Sequence, residues 1–288
     1  MKGIILAGGM GTRLYPTTLG ASKQLLAIFD KPLLYYPLSI LLQAGIREIL
    51  IISSDKDIIS YQNLLNDGSQ FGVEITYATQ NSPNGIAEAF IIGNEFIGSD
   101  CVCLILGDNI FIGENFAEKF PPSSETFQGA KVYGYQVADP ERFGVISNDN
   151  GNIEIEEKPI HPKSSYAVTG LYFYDNSVIQ IAKDLRPSDR GELEITDVNI
   201  EYLKSNKLQV EFLDEGFTWF DAGTHDAMIE AGIYVQTIQK RQGVVIACPE
   251  AIAYRNGWIT SQKVSEEADK YNNHYGMFLK KVISETDI

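Results

Sequence analysis

The sequence predicts an α/β fold: a doubly wound, mostly parallel, Rossmann-like sheet with a smaller antiparallel region inserted and helices at the C-terminal end. Three observations carry this. Continuous apolar runs at residues 3–7, 48–53, 73–79 and 101–106 alternate with helical patterns, as parallel strands covered on both faces do. A glycine-rich turn follows the first run directly. Between residues 131 and 174 the runs shorten, and polar breaks such as Asn148-Asp149-Asn150-Gly151 divide them, which predicts antiparallel strands grafted onto the main sheet.

Each element has a local reason. Residues 33–44 have helical length and stop at Gly45, a residue suited to the left-handed position after a helix. Residues 86–96 read as one helix. Residues 131–137, 144–147, 153–157 and 169–174 read as the short strands. After Phe220-Asp221-Ala222-Gly223 the pattern is helical again, at 226–242 and at 266–282, and these helices are expected to pack on the outside or against another subunit. No Pro-, Gly- or Ser-rich linker divides the chain.

Composition removes several function classes. Of 288 residues, 23 are Lys or Arg and 38 Asp or Glu, so the net charge is −15, which opposes nonspecific affinity for nucleic acid or an anionic membrane. The hydrophobic share of 44% is globular rather than disordered, yet no run approaches the roughly 18 apolar residues of a membrane span. Residues 1–7 are too short for a secretion signal, so a cytoplasmic location is expected. Cys101, Cys103 and Cys248 form no disulfide framework, and neither they nor His161, His225 and His274 have zinc-site spacing.

The strongest chemical signal is Leu6-Ala7-Gly8-Gly9-Met10-Gly11-Thr12-Arg13-Leu14. Closely spaced glycines let backbone N–H groups approach a polyanion without obstruction by Cβ. Two familiar phosphate loops are excluded: there is no Gly-Lys-Ser/Thr ending, and Leu14 stands where the dinucleotide fingerprint needs its third glycine. Arg13 supplies a planar cationic fork suited to phosphate oxygens, and Ser22-Lys23-Gln24 brings a second cation. The plainer alternative is a tight turn followed by surface basic residues. Asp108 follows the run 101–106 through Gly107, at the strand end where open sheets bind ligands; a lone Asp there is equally a turn or cap residue.

This loop resembles the signature of the sugar-1-phosphate nucleotidyltransferases, and the likeness extends across nearly the whole chain. It includes Asp30-Lys31-Pro32, Tyr35-Tyr36-Pro37-Leu38, Asp67-Gly68-Ser69, Gly107-Asp108-Asn109-Ile110-Phe111, Asp139-Pro140-Glu141-Arg142-Phe143-Gly144-Val145 and Glu156-Glu157-Lys158-Pro159. The stretches 166–175 and 190–197 complete it. The resemblance implies thymidylyl transfer from dTTP to α-D-glucose 1-phosphate, giving dTDP-glucose and pyrophosphate, as the first step toward a deoxysugar such as rhamnose for a cell-surface polysaccharide. It implies a catalytic domain over 1–240, with a nucleotide-binding part at about 1–130 and a sugar-phosphate-binding part at about 131–223. Residues 241–288 would form a helical segment with a subunit interface and regulatory site, in a homotetramer.

Residue by residue, the resemblance implies that Asp108 and Asp221 hold Mg²⁺, and that Arg13 and Lys23 hold the triphosphate and stabilise departing pyrophosphate. Leu6, Gly8, Gly9, Gly11, Thr12 and Gln24 would complete the nucleotide site, with Gln80 and Gly85 at the base. A glutamine amide can meet the thymine edge as donor and acceptor. Lys158 and Arg190 would grip the sugar phosphate, and Glu157 would accept from sugar hydroxyls beside Asn109 and the backbone of Gly144, Val168 and Gly170. Tyr172 and Trp219 would wall the ring. Ile252 and Arg255 fall in the segment that resembles the regulatory site.

The chain also departs from the pattern. Asn81 and Asn84 replace a usual Pro and Asp beside the base site, which bears on the choice between dTTP and UTP. Phe143 replaces a usual Tyr near the sugar, Ala27 a usual Pro and Ala222 a usual Thr; Ala251 and Glu215 replace a usual Glu and Arg near the regulatory site. Weak feedback inhibition by dTDP-rhamnose is therefore expected, because a carboxylate repels a diphosphate. The alternatives are a UTP-preferring or dual-specificity enzyme of the same fold and a catalytically silent nucleotide-sugar sensor. The sensor would require loss of residues that are present here.

Overall fold

The computed structural model describes residues 1–9, 11–121, 127–149 and 151–286. Met10 of the glycine loop and Asn150 of the polar break lie outside the described residues. In chain order the strands are β1 (Lys2–Leu6), β2 (Ala27–Ile28), β3 (Lys31–Pro32), β4 (Glu48–Ser53), β5 (Glu74–Thr79), β6 (Val102–Leu106), β7 (Asn109–Ile112), β8 (Ala130–Gln136), β9 (Gly144–Asp149), β10 (Asn152–Glu157), β11 (Tyr166–Tyr174), β12 (Leu208–Phe212) and β13 (Thr218–Asp221).

The apolar runs of the first half form a parallel quartet, with β1 between β4 and β6 and with β5 beyond β4. Alternate residues feed two cores: Ile5, Ile51 and Ile105 face one side, and Ile4, Ile52 and Leu104 the other. All six are fully buried, which is why these strands read as continuous hydrophobic runs. The middle of the chain extends the same nine-stranded sheet: β11 joins β6 antiparallel, then β9 and β10 follow outward. β8 also pairs antiparallel with β11, and β12 lies parallel to β8.

The helix Tyr35–Gln43 ends as its sequence suggests. Gly45 takes a φ of 75°, its N–H donates to Leu42 O at 3.1 Å, and the Ile46 N–H donates to Leu41 O at 3.0 Å, closing a Schellman motif. Two predicted helices are divided instead. Residues 86–96 form Glu88–Ile92 and Asn94–Ile97, separated at Gly93, which lies close against Ile4. Residues 266–282 fall in two helices, Ser261–Ala268 and His274–Thr286. Between them the Asn273 side chain accepts from the N–H groups of Tyr275 and Gly276, capping the second helix. These C-terminal helices pack into the same core as Ile5 and Ile51, through Val264, Leu279 and Val282.

A two-stranded ribbon completes the frame. β13 pairs antiparallel with β7, so Asp221 stands opposite Asn109. The Ala222 N–H donates to Asp108 O at 3.0 Å. This ribbon brings two aspartates from distant parts of the sequence to one place.

Candidate active site

Beyond β1 the chain turns through the glycine loop. Gly9 and Gly11 have φ of 99° and 57°, the left-handed region that disfavours side chains. Gly9 opens onto free space, whereas a Cβ on Gly8 would lie 3.0 Å from Gln80 Oε1. The Thr18 hydroxyl donates to Gly11 O at 2.7 Å and pins the far side of the loop. The short 3₁₀ turn Thr12–Leu14 then buries Leu14 and leaves Thr12 and Arg13 exposed. Gly9, Lys23 and Gln80 line one cleft of about 310 Å³, together with Tyr15, Leu19 and Lys56.

Two expected nucleotide contacts have structural duties here. Gln24 is buried, and its Oε1 accepts from the hydroxyls of Ser22 at 2.7 Å and Tyr61 at 3.1 Å. Gly85 has a φ of 108°, and a Cβ would stand 2.3 Å from Leu193 O, so the backbone of the segment before helix Ile195–Lys204 demands glycine there. Gln80 does not present both ends of its amide to the cleft. Its Nε2 hydrogens go to Gly85 O at 3.2 Å and to Glu88 Oε2 at 2.7 Å.

The acidic pair sits at the strand end predicted for ligands. Lys23 Nζ donates to Asp108 Oδ2, and Asn109 Nδ2 donates to Asp108 Oδ1 at 2.9 Å. Burial opposes ionisation of both partners. The contact between Lys23 and Asp108 outweighs it, raising the ammonium pKa and lowering that of the carboxyl. Asp221 is pushed up to about 6, first by burial and then by the Asp108 charge, against weaker pulls from Lys23, Arg142 and Arg13. Among the described residues no group of three or more His, Cys, Asp or Glu side chains forms a metal cluster. Two carboxylates alone suit a hard cation that keeps water and phosphate as its other ligands.

A second cavity of about 160 Å³ adjoins this pair. Arg13, Asp221, Glu157, Lys158, Tyr172 and Trp219 all line it, as do Asn109, Gly144, Val168 and Gly170. It opens at a β11 bulge between Val168 and Tyr172. There the Gly170 N–H donates to Asn109 Oδ1 at 2.9 Å, so it is engaged rather than held out to a sugar. Trp219 Nε1 donates to the same oxygen at 2.7 Å and offers the cavity only its ring. Asn109 is 1% exposed and ties β7, β11 and β13 together. Lys158 follows β10 with a φ of 44°, a strained conformation for lysine, and reaches Glu157 at 3.2 Å.

Nearly full-length similarity accompanies this arrangement. The nucleotidyl transferase family model matches residues 2–237. The chain belongs to this family. A glucose-1-phosphate thymidylyltransferase of Neisseria meningitidis is 55% identical over 98% of this chain and 99% of its own length. One from Mycobacterium tuberculosis is 46% identical over the same shares. A Bacillus anthracis crystal structure, described as a glucose-1-phosphate thymidylyltransferase in complex with a sucrose, superposes with a TM-score of 0.75 at 45% identity, covering 81% of this chain and 94% of that one. A UDP-glucose pyrophosphorylase bound to UDP-glucose, 24% identical, shares the fold with a TM-score of 0.69.

Within this family site, Arg190 stands apart. It does not line the cavity; its guanidinium meets Glu194 at 2.8 Å, Glu157 at 3.2 Å and Glu192 at 3.5 Å. Partial burial would lower its pKa, but the Glu194 hydrogen bond and these charges raise it. Two polar lining residues gained no role from the sequence. Arg142 approaches Asp221 at 3.8 Å, and Thr196 donates to Glu157 Oε2 at 2.5 Å. Both fall inside motif stretches, but only the folded 3₁₀ turn Pro140–Arg142 and helix Ile195–Lys204 turn them inward. Ile252 and Arg255 lie on the helix Pro249–Arg255 and line neither cavity.

Proposed function

We propose that the chain transfers the thymidylyl group of dTTP to α-D-glucose 1-phosphate, releasing pyrophosphate and forming dTDP-glucose. The observation that carries this is a pair of cavities, one lined by Lys23 and the other by Arg13 and Asp221, with Lys23 bound to Asp108 and within the electrostatic reach of Asp221 and Arg13. One is headed by an amide suited to a base, and the other is walled by aromatic rings and a carboxylate suited to a sugar. A phosphate oxygen of the sugar attacks the α-phosphorus of dTTP, the new P–O bond forms, and the bond to pyrophosphate breaks. Positioning and charge stabilisation are the main contributions of a protein to such a transfer.

Lys23 and Arg13 face the side on which pyrophosphate charge develops. Lys158 neutralises the sugar phosphate, with Arg190 beside it through Glu157. Glu157 accepts from sugar hydroxyls, and the Tyr172 and Trp219 rings exclude water. The residues fit Mg²⁺: buried Asp221 carries a like-charge penalty from Asp108, and both offer hard oxygen ligands. When bound by Asp108 and Asp221, the ion supplies positive charge for the triphosphate. The experiment is turnover with dTTP and with UTP in paired assays, with and without EDTA. The reading predicts higher kcat/KM for dTTP and loss of activity on chelation that Mg²⁺ restores; a clear preference for UTP overturns it.

The wider reading is a cytoplasmic homotetramer supplying dTDP-glucose for a deoxysugar such as rhamnose. Feedback inhibition by dTDP-rhamnose is weak because Ala251 alters the segment around Ile252 and Arg255 and Glu215 brings a carboxylate where a usual Arg would meet a diphosphate. Potent inhibition that Arg255→Ala abolishes without loss of turnover contradicts this. No feature favours a silent sensor, since Arg13, Lys23, Asp108, Lys158 and Asp221 are all retained.

A further inference from the structure

Gln80 follows β5 and heads the nucleotide cleft, its backbone N–H fixed on Ser53 O at 2.8 Å. A glutamine amide can present either its oxygen or its nitrogen, so something else must decide which end faces a base. That group is Glu88, the first residue of helix Glu88–Ile92. Its Oε2 accepts from Gln80 Nε2 at 2.7 Å, while the other amide hydrogen points to Gly85 O at 3.2 Å. Turning the amide over would set Gln80 Oε1 against two acceptors, one of them charged.

Glu88 is held in turn. Its Oε1 accepts from Asn84 Nδ2 at 2.8 Å, a donation that an aspartate at position 84 could not make. The three side chains therefore form an ordered relay from Asn84 through Glu88 to Gln80. Its result is visible at the glycine loop, where Gln80 Oε1 stands 3.0 Å from the place a Gly8 Cβ would occupy.

We infer that Glu88 is a specificity-determining positioning residue, which locks Gln80 as a hydrogen-bond acceptor toward the nucleotide base. An acceptor suits thymine and uracil, whose N3 carries a hydrogen, and opposes cytosine, whose N3 is itself an acceptor. The inference rests on the nucleotidyl-transfer reading above but is separable from it. It assigns rejection of cytosine nucleotides to Glu88, while the choice between dTTP and UTP lies with groups around C5 and the ribose.

The test compares wild type with Glu88→Gln and Glu88→Ala, measuring kcat/KM for dTTP and dCTP and the binding of each nucleotide by calorimetry. In Glu88→Gln the partner amide can itself turn over, and in Glu88→Ala the lock is gone. Both variants should lower the dTTP:dCTP preference by about tenfold or more, since a hydrogen bond to a charged group no longer fixes the amide. Equal losses for both nucleotides, or an unchanged preference in folded variants, would make Glu88 merely structural and overturn the inference. If the preference falls in calorimetry while wild type turns over neither dTTP nor UTP, the lock stands and the transferase reading fails.

Discussion

Replacing Asn109 by alanine should disconnect the site from its frame. The Asn109 oxygen receives two buried donors, Trp219 Nε1 at 2.7 Å and the Gly170 N–H at 2.9 Å, and its amide supports Asp108 at 2.9 Å. Truncation orphans both donors. Leaving one buried donor unsatisfied costs about 1–3 kcal/mol, so the pair predicts a loss of about 2–6 kcal/mol. The 1% exposure of Asn109 leaves bulk water little access to compensate. Asn109→Asp separates the two duties: it keeps an acceptor for Trp219 and Gly170 but loses the donor to Asp108 and adds a third carboxylate. Urea denaturation at neutral pH reads the stability, and pyrophosphate release reads the site. Asn109→Ala should lose both stability and turnover, whereas Asn109→Asp should retain more stability yet lose turnover. An alanine variant within about 0.5 kcal/mol of wild type would refute the reasoning.

Other expectations follow from the same network. Lys23→Met leaves Asp108 without its opposite charge; the carboxyl pKa should rise, and stability should fall by up to about 3–5 kcal/mol, read by denaturation at pH 7. Glu250 is 1% exposed, and its pKa is raised by burial despite the hydrogen bond from Tyr275 at 2.5 Å. The folded state therefore holds this proton more tightly than the unfolded chain, and wild type loses stability as pH rises from about 4.5 through the folded pKa. Glu250→Gln removes that slope, so its stability relative to wild type should increase as pH rises above about 4.5; a pH-independent difference contradicts the assignment.

The legible parts of this chain are those decided locally. Continuous apolar runs identified the parallel quartet, with β4 at its observed bounds, and Gly45 marked the helix end because only one residue's φ was at issue. Asp108 was placed at a strand end by the run before it. Its meeting with Asp221 depends on the β7–β13 ribbon, whose register no spacing in the sequence contains. The same holds for Arg190, which lies beside Glu192 and Glu194 in the sequence but meets Glu157 only through the fold. Gln80 was legible only as an amide expected at the base, and the partners that orient it lie across a turn. The break at residues 269–273 was missed because an apolar periodicity continued through it, while the Asn273 cap restarted the helix.

The most direct measurement of the central claim is pyrophosphate release from dTTP, glucose 1-phosphate and Mg²⁺ by wild type and by Asp108→Asn. The account predicts release coupled one-for-one to dTDP-glucose in wild type, dependent on both substrates, and its loss in a folded Asp108→Asn variant. Asparagine there can still accept from Lys23 but cannot offer the charged oxygen the site requires. Undiminished release by Asp108→Asn, or none by wild type with any sugar phosphate and nucleotide, would contradict the account.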